Sequence, residues 1–286
     1  MAQPHPTTLS LMDDFSLEIT GKDSDAVVAA QADIPADTRI NVTFLGNEDL
    51  ETRVTAAKAV RDAGFIPVPH LAARRITSTD EFRQILSTLQ DLGLSERLFL
   101  IAGDPATPHG PYEDALALIN TNELSDYGVR EVGISGYPEG HPDVSNAVLD
   151  SAFVDKFNAL KEQSLEPVVI TQFAFDATAV TSWVRQVRTH GYNGQIRIGT
   201  PGPAGIKRLL SYARRFGVAS SAGIVKKYGF SLTNLLGTAG PDKFILDMQH
   251  ELDQDPTLGN LAVHFYTFGG LQATAQWVQE FKQKSR

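Results

Sequence analysis

The chain has no cysteine. Disulfides, thiolate metal sites and cysteine nucleophiles are thereby excluded, so any chemistry must use carboxylates, histidine, hydroxyls or a bound cofactor. It has no apolar stretch long enough to span a bilayer. Positive charge is scarce, with 25 Lys and Arg against 34 Asp and Glu and a net charge of −9. That balance argues against a nucleic-acid surface, which needs a basic footprint, and predicts a soluble, cytosolic (cytoplasmic) protein. Neither a Walker loop nor a Ser-His-Asp arrangement is present, and no two histidines stand at metal-ligand spacing. Residues 1–14 lack the cationic-then-apolar pattern of a secretion signal and are expected to form a flexible segment.

What the chain does have is eight short apolar runs, at 15–19, 40–44, 65–69, 98–102, 131–135, 167–170, 195–198 and 261–265. At or just after their ends stand Glu18, Thr43, His70, Asp104, Tyr137, Gln172, Thr200 and Tyr266. Stretches with helical periodicity separate the runs, which predicts parallel strands joined by crossover helices. Eight such repeats predict an α/β fold, a closed (β/α)8 TIM barrel, with its chemistry at the C-terminal strand ends. With no linker or low-complexity segment, residues 1–286 read as one domain. Gly64 and Gly93 are placed to end helices. The third strand carries Pro67 and Pro69 and is expected to be short, because proline removes ladder donors. Extra helices at 219–228 and 242–253 interrupt the repeat between strands 7 and 8. With the final helix at 271–284, they offer apolar surface that points to a homo-oligomer.

Several strand ends are suited to chemistry. Glu18 lies within an apolar strand, where burial would raise its pKa and suit it to general acid work; a solvent-facing edge position is the alternative. Asp104 follows Ala102-Gly103, small residues that let a flat ligand approach, although Asp before Pro is also an ordinary turn. The loop Tyr137-Pro-Glu-Gly-His-Pro-Asp suits hydrogen bonding to a polar cofactor better than a metal. Gln172 offers a donor and an acceptor to a heteroaromatic edge such as a pterin, while Phe173 and Phe175 read as core. Gly199-Thr-Pro-Gly-Pro-Ala-Gly reads equally as a phosphate-binding loop or as a tight turn opening a helix.

Taken in order, Leu17-Glu18, Val42-Thr43-Phe44, Pro69-His70-Leu71, Ala102-Gly103-Asp104, Tyr137-Pro-Glu-Gly-His-Pro, Ile170-Thr-Gln-Phe-Ala-Phe-Asp and His264-Phe-Tyr-Thr resemble the methylenetetrahydrofolate reductase family. The resemblance spans nearly the whole chain. It implies FAD at the strand ends, contacted by Thr43, His70, Asp104, Tyr112, Tyr137 and His141, with Asp150 and Lys161 at its ribose and phosphates. It implies a folate substrate, with Gln172, Tyr212 and Tyr266 as substrate contacts. Glu18 would be the acid that opens the five-membered ring of 5,10-methylenetetrahydrofolate to an iminium, and Asp104 a second catalytic carboxylate tuning the flavin.

Three departures stand out. Thr20-Gly21-Lys22 replaces the family's Pro-Pro-Arg, Ala102 replaces an arginine, and Gly269-Gly270 replaces Asn-Arg. With peripheral cations lost and Glu18, Asp104 and Gln172 kept, the expectation is a divergent member retaining folate chemistry. Its nicotinamide partner, NADH or NADPH, is then in question, and its direction is the oxidation of 5-methyltetrahydrofolate in one-carbon catabolism. The alternatives are a non-catalytic flavin- or folate-binding barrel, and a barrel metallohydrolase using His70, Asp104 and His141.

Overall fold

The computed structural model describes residues 10–215 and 238–284. In chain order its elements are β1 (Ser16–Ile19), α1 (Ser24–Ala30), β2 (Arg39–Val42), α2 (Leu50–Asp62), β3 (Ile66–Ala72), α3 (Thr79–Asp91), β4 (Arg97–Ile101), α4 (Ala115–Ile119), β5 (Glu131–Gly136), α5 (Asn146–Glu162), β6 (Glu166–Thr171), α6 (Ala177–Thr189), β7 (Ile196–Pro201), β8 (Ala204–Gly205), α7 (Ile206–Arg215), β9 (Thr238–Ala239), α8 (Asp242–Gln254), β10 (Leu261–Tyr266) and α9 (Leu271–Lys284). Eight parallel strands close into a barrel in the order β1-β10-β7-β6-β5-β4-β3-β2. This is the expected (β/α)8 architecture. Among the described residues no helix is long and apolar enough to cross a membrane.

The helices form for local reasons and bury one stripe each. In α3 the Ser78 hydroxyl caps the Glu81 N–H, and Phe82, Ile85, Leu86 and Leu89 form the buried face at i, i+3, i+4 and i+7. Each of those side chains contributes about 1.5–3 kcal/mol on burial. The C-terminal glycines behave as expected, Gly64 at φ +84° and Gly93 at φ +66°. The chain stretch at 219–228 lies outside the described residues. In α9 the apolar residues Leu271, Ala275, Val278 and Phe281 pack inward, so this helix supplies no free apolar face for self-association.

Two expectations need correction. β3 is seven residues long despite its prolines. The Ile66 N–H reaches Thr38 O on the β2 side, so Pro67 and Pro69, of the opposite parity, face β4. Pairing with β4 begins only at His70, beyond both prolines, and no ladder donor is lost. The N-terminal segment is anchored from Ser10 onward: Leu11 and Met12 are buried, and Asp14 accepts from Arg197 through its carbonyl at 2.8 Å and its carboxylate at 2.7 Å. The loop after β7 also contains a feature invisible to periodicity, an antiparallel pairing of β8 with β9.

The barrel interior is stratified. At the N-terminal end Arg39 and Arg97 pair with Glu131, beside the fully buried Arg197. Above them Val68, Phe99 and Ile170 form an apolar layer, as expected for a packed barrel core. Gly133 is required there, because a Cβ on it would lie 2.4 Å from Phe99 Cδ2. Gly133→Ala is expected to cost about 1–3 kcal/mol by overpacking, read from the urea midpoint. A loss below about 0.5 kcal/mol would show that Phe99 yields freely.

Candidate active site at the barrel mouth

Above the apolar layer the strand ends deliver a buried polar group. Glu18 in β1 points into the barrel with a side chain only 16% exposed. His264 Nε2 from β10 lies 3.5 Å from its Oε2, and His70 Nε2 from β3 lies 3.8 Å away. Strand register explains the meeting: Ser16 pairs with His264, and Glu18 with both Tyr266 and Asn41. With a side-chain period of two, one inward face carries them all.

Burial sets the charges. Desolvation raises the Glu18 carboxyl from 4.5 to about 7, against the opposing pull of His70. The same desolvation lowers His70 to about 4 and His264 to about 3. Near neutral pH both imidazoles are therefore uncharged and Glu18 is poised between acid and base. Asn41 Nδ2 sits 3.0 Å from His70 Nε2 and donates to it, so that nitrogen carries no proton. Ser16 Oγ lies 2.9 Å from His264 Nδ1. With Ser16 donating, the His264 proton rests on Nε2, which has no hydrogen-bond partner among the described residues and is directed at Glu18. The hydroxyl of Thr43, just after β2, is likewise buried without a partner among the described residues, whereas Thr200 pairs with the outward-facing Phe265 and lies on the helix side of β7. Unsatisfied polar atoms on two inward-facing strands are a mark of a ligand site.

Other expected residues surround this group in different ways. Tyr266 donates its hydroxyl to Thr171 O at 2.9 Å. Gln172 accepts from the Phe173 N–H at 3.0 Å, and its Nε2 has no partner among the described residues. Phe173 and Phe175 are core, as expected. Tyr212 of α7 stacks on Phe268 at 3.8 Å and 7°. Tyr137 and His141 meet edge to face at 5.5 Å, and burial raises the Tyr137 hydroxyl. Asp104, by contrast, is on the exposed rim, 70% accessible, with its carboxylate forked by Arg75 at 2.8 and 2.7 Å. Tyr112 packs in the outer core against Phe82 rather than at a strand end. The glycines in and just after β7 serve close packing: a Cβ on Gly199 would lie 2.4 Å from Thr171 O, and one on Gly202 2.5 Å from Thr274 Oγ1. Sequence reasoning missed His264, Ser16, Asn41 and Arg75 as parts of the mouth. It also missed Glu139, whose carboxylate accepts from the Phe175 and Asp176 N–H groups.

The phosphate end of FAD does not find its residues. A cavity of about 370 Å³ between α5 and α6 lies below the β5 loop, lined by Tyr137, Glu139, Asn146, Asp150, Trp183 and Gln186 among others. It contains two carboxylates and neither Lys nor Arg, the reverse of what a diphosphate requires. Asp150 is bound to Gln186 and His190, each at 2.8 Å. Lys161, eleven residues further along α5, stands about 16 Å down the helix and is exposed. The flavin contacts expected from Asp150 and Lys161 therefore do not assemble into one cradle.

The methylenetetrahydrofolate reductase family model matches residues 30–215. A protein from Clostridium thermocellum, described as binding two copies of 5-methyl-5,6,7,8-tetrahydrofolic acid, is similar in fold at TM-score 0.64 and 11% identity, over 94% of this chain and 95% of that one. The 3-dehydroquinate dehydratase of Aquifex aeolicus VF5 matches at TM-score 0.48 and 10% identity, over 94% of this chain and 97% of that one.

Proposed function

The chain belongs to the methylenetetrahydrofolate reductase family, and from that premise we propose that it interconverts 5,10-methylenetetrahydrofolate and 5-methyltetrahydrofolate, with Glu18 as its acid and base. The observation that carries this reading is the Glu18 carboxyl, raised to about 7 between two neutral histidines. In the reducing direction Glu18 gives its proton to N10 of the folate as the bond from N10 to the methylene carbon breaks. The resulting N5 iminium would then accept a hydride at that carbon from NADH or NADPH and become the methyl group, leaving the oxidised nicotinamide. In the oxidising direction an oxidised nicotinamide would take the hydride from the methyl group, and the Glu18 carboxylate would take the N10 proton as N10 closes on the iminium carbon. A group half-ionised near pH 7 serves both directions.

Gln172 and Tyr266 would orient the pterin, and the unpartnered hydroxyl of Thr43 would add a hydrogen bond. Asp104, neutralised by Arg75, would act at the rim and not as a free carboxylate under a flavin. Family members usually bind FAD, but the residues here do not fit its diphosphate, so the proposal assigns this chain's residues to the folate and its proton. The folate similarity of the Clostridium thermocellum protein supports the substrate class.

The test is turnover of 5,10-methylenetetrahydrofolate with NADH or NADPH, each with and without added FAD. Turnover with at least one donor is expected, and it should not rise with FAD. Turnover under none of the four conditions, with folate still bound, would favour the non-catalytic barrel. A flavin absorption band in the purified protein would contradict the reading of the α5–α6 cavity.

A further inference from the structure

Each time Glu18 gives up its proton it becomes a buried carboxylate, and among the described residues no Lys or Arg pairs with it. The titratable groups around it are His70 from β3 and His264 and Tyr266 from β10, with Tyr137, just after β5, beyond Tyr266. Two of these are engaged elsewhere. The Tyr266 hydroxyl, raised well above its ordinary value by burial, donates to Thr171 O. His70 Nε2 is taken by Asn41. That leaves His264.

His264 is fully buried and stands edge-on to Tyr266, with ring centroids 5.0 Å apart at 88°. Its Nδ1 meets Ser16 Oγ at 2.9 Å. Ser16 is fully buried as well, and among the described residues its hydroxyl has no hydrogen-bond partner except His264. The hydroxyl proton therefore has one acceptor, Nδ1; the reverse polarity would strand a buried O–H. Burial, reinforced by Arg197 on β7, keeps the imidazole neutral, so it does not take the Glu18 proton for itself. Its own proton sits on Nε2, with no acceptor among the described residues, 3.5 Å from Glu18 Oε2. A carboxylate draws such a donor in more strongly than a neutral carboxyl does. Catalytic contacts that are loose in a resting site commonly tighten during the reaction.

We propose that Ser16 and His264 form a positioning dyad for Glu18: the serine holds the imidazole in its Nε2–H form, and that N–H closes on the Glu18 carboxylate as the proton leaves for the folate. The role in turnover rests on the folate reading above, whereas the dyad lies wholly within this chain. A neutral donor lets a buried glutamate ionise without fixing it in that state. A lysine or arginine in the same place would hold Glu18 ionised and remove it as an acid.

The experiment follows Glu18 ionisation by 13C NMR of its side-chain carboxyl and the His264 tautomer by 15N NMR, both in the ligand-free protein. Beside them it records the pH dependence of kcat/KM for 5,10-methylenetetrahydrofolate. The parent is expected to show His264 protonated on Nε2 and a Glu18 inflection at about 7. In His264→Leu that inflection should rise by about one pH unit, a tenfold change in the ionisation constant, in both readouts. His264→Gln, whose amide N–H can stand where the Nε2–H stood, should bring it back close to the parent. Ser16→Ala should mix the two tautomers and give a smaller upward shift, and it carries the test alone if His264→Leu does not fold. Slower turnover with the inflection unmoved in these variants would mean a packing role and would overturn the inference. A parent His264 protonated on Nδ1 would overturn it too. If the carboxyl inflection moves as expected but the parent turns over no folate, the dyad stands and the folate reading falls.

Discussion

Glu18→Gln is expected to lower turnover of 5,10-methylenetetrahydrofolate by about 10²- to 10⁴-fold, the usual worth of a positioned general acid, while folate still binds. Glutamine keeps the shape and a hydrogen-bonding head but holds no transferable proton. The two flanking histidines cannot take over, because burial lowers them to about 4 and about 3 and neither is protonated at neutral pH. The loss should therefore appear in kcat and kcat/KM together, the sign of an interaction made in the transition state. Unchanged turnover would remove Glu18 from the mechanism.

The same substitution carries a second large effect that needs no substrate. A carboxyl raised from 4.5 to about 7 holds its proton in the folded chain after the unfolded chain has lost it. The folded state then binds more protons between those two values, so stability falls as pH rises through them. At about 1.4 kcal/mol per pH unit, the buried Glu18 costs about 3 kcal/mol above pH 7. Glutamine removes that cost. Glu18→Gln should thus be more stable than the parent by about 3 kcal/mol at pH 8 and by almost nothing at pH 4.5. His70 and His264 work on the other flank. Their folded-state values lie below 6.5, so stability falls as pH drops below 6.5, in parent and variant alike. Chemical denaturation of both proteins across pH 4.5–8 reads the difference directly. Equal stability at pH 8 would mean that Glu18 is ionised at no cost and is not the poised acid described here.

A carboxylate that destabilises its own fold is more readily explained by function than by packing, and it was legible early. A glutamate in an apolar strand stands out in any reading of β1. The barrel was legible too, since strands buried on both faces leave continuous apolar runs. The partners of Glu18 were not. Ser16, Asn41 and His264 look like ordinary polar residues in their own strands, and only the register Ser16↔His264, Glu18↔Asn41 and Glu18↔Tyr266 brings them together. β3 misled because proline was weighed without knowing which neighbour each N–H would face. The two-residue strands β8 and β9 are too short to show any period. Asp150 and Lys161 were paired by resemblance, although eleven residues of helix separate them. Asp104 was placed correctly on its strand end, but no sequence pattern reveals that Arg75, from a different loop, occupies its carboxylate.

The central claim is that Glu18 exchanges the folate proton with a pKa near 7, and the pH dependence of kcat/KM for 5,10-methylenetetrahydrofolate reduction tests it most directly. The account predicts a rate that falls as pH rises through about 7, because only the protonated carboxyl is an acid, and a weak, pH-independent residue of activity in Glu18→Gln. A parent profile flat from pH 5.5 to 8.5, or the same inflection persisting in the variant, would contradict it.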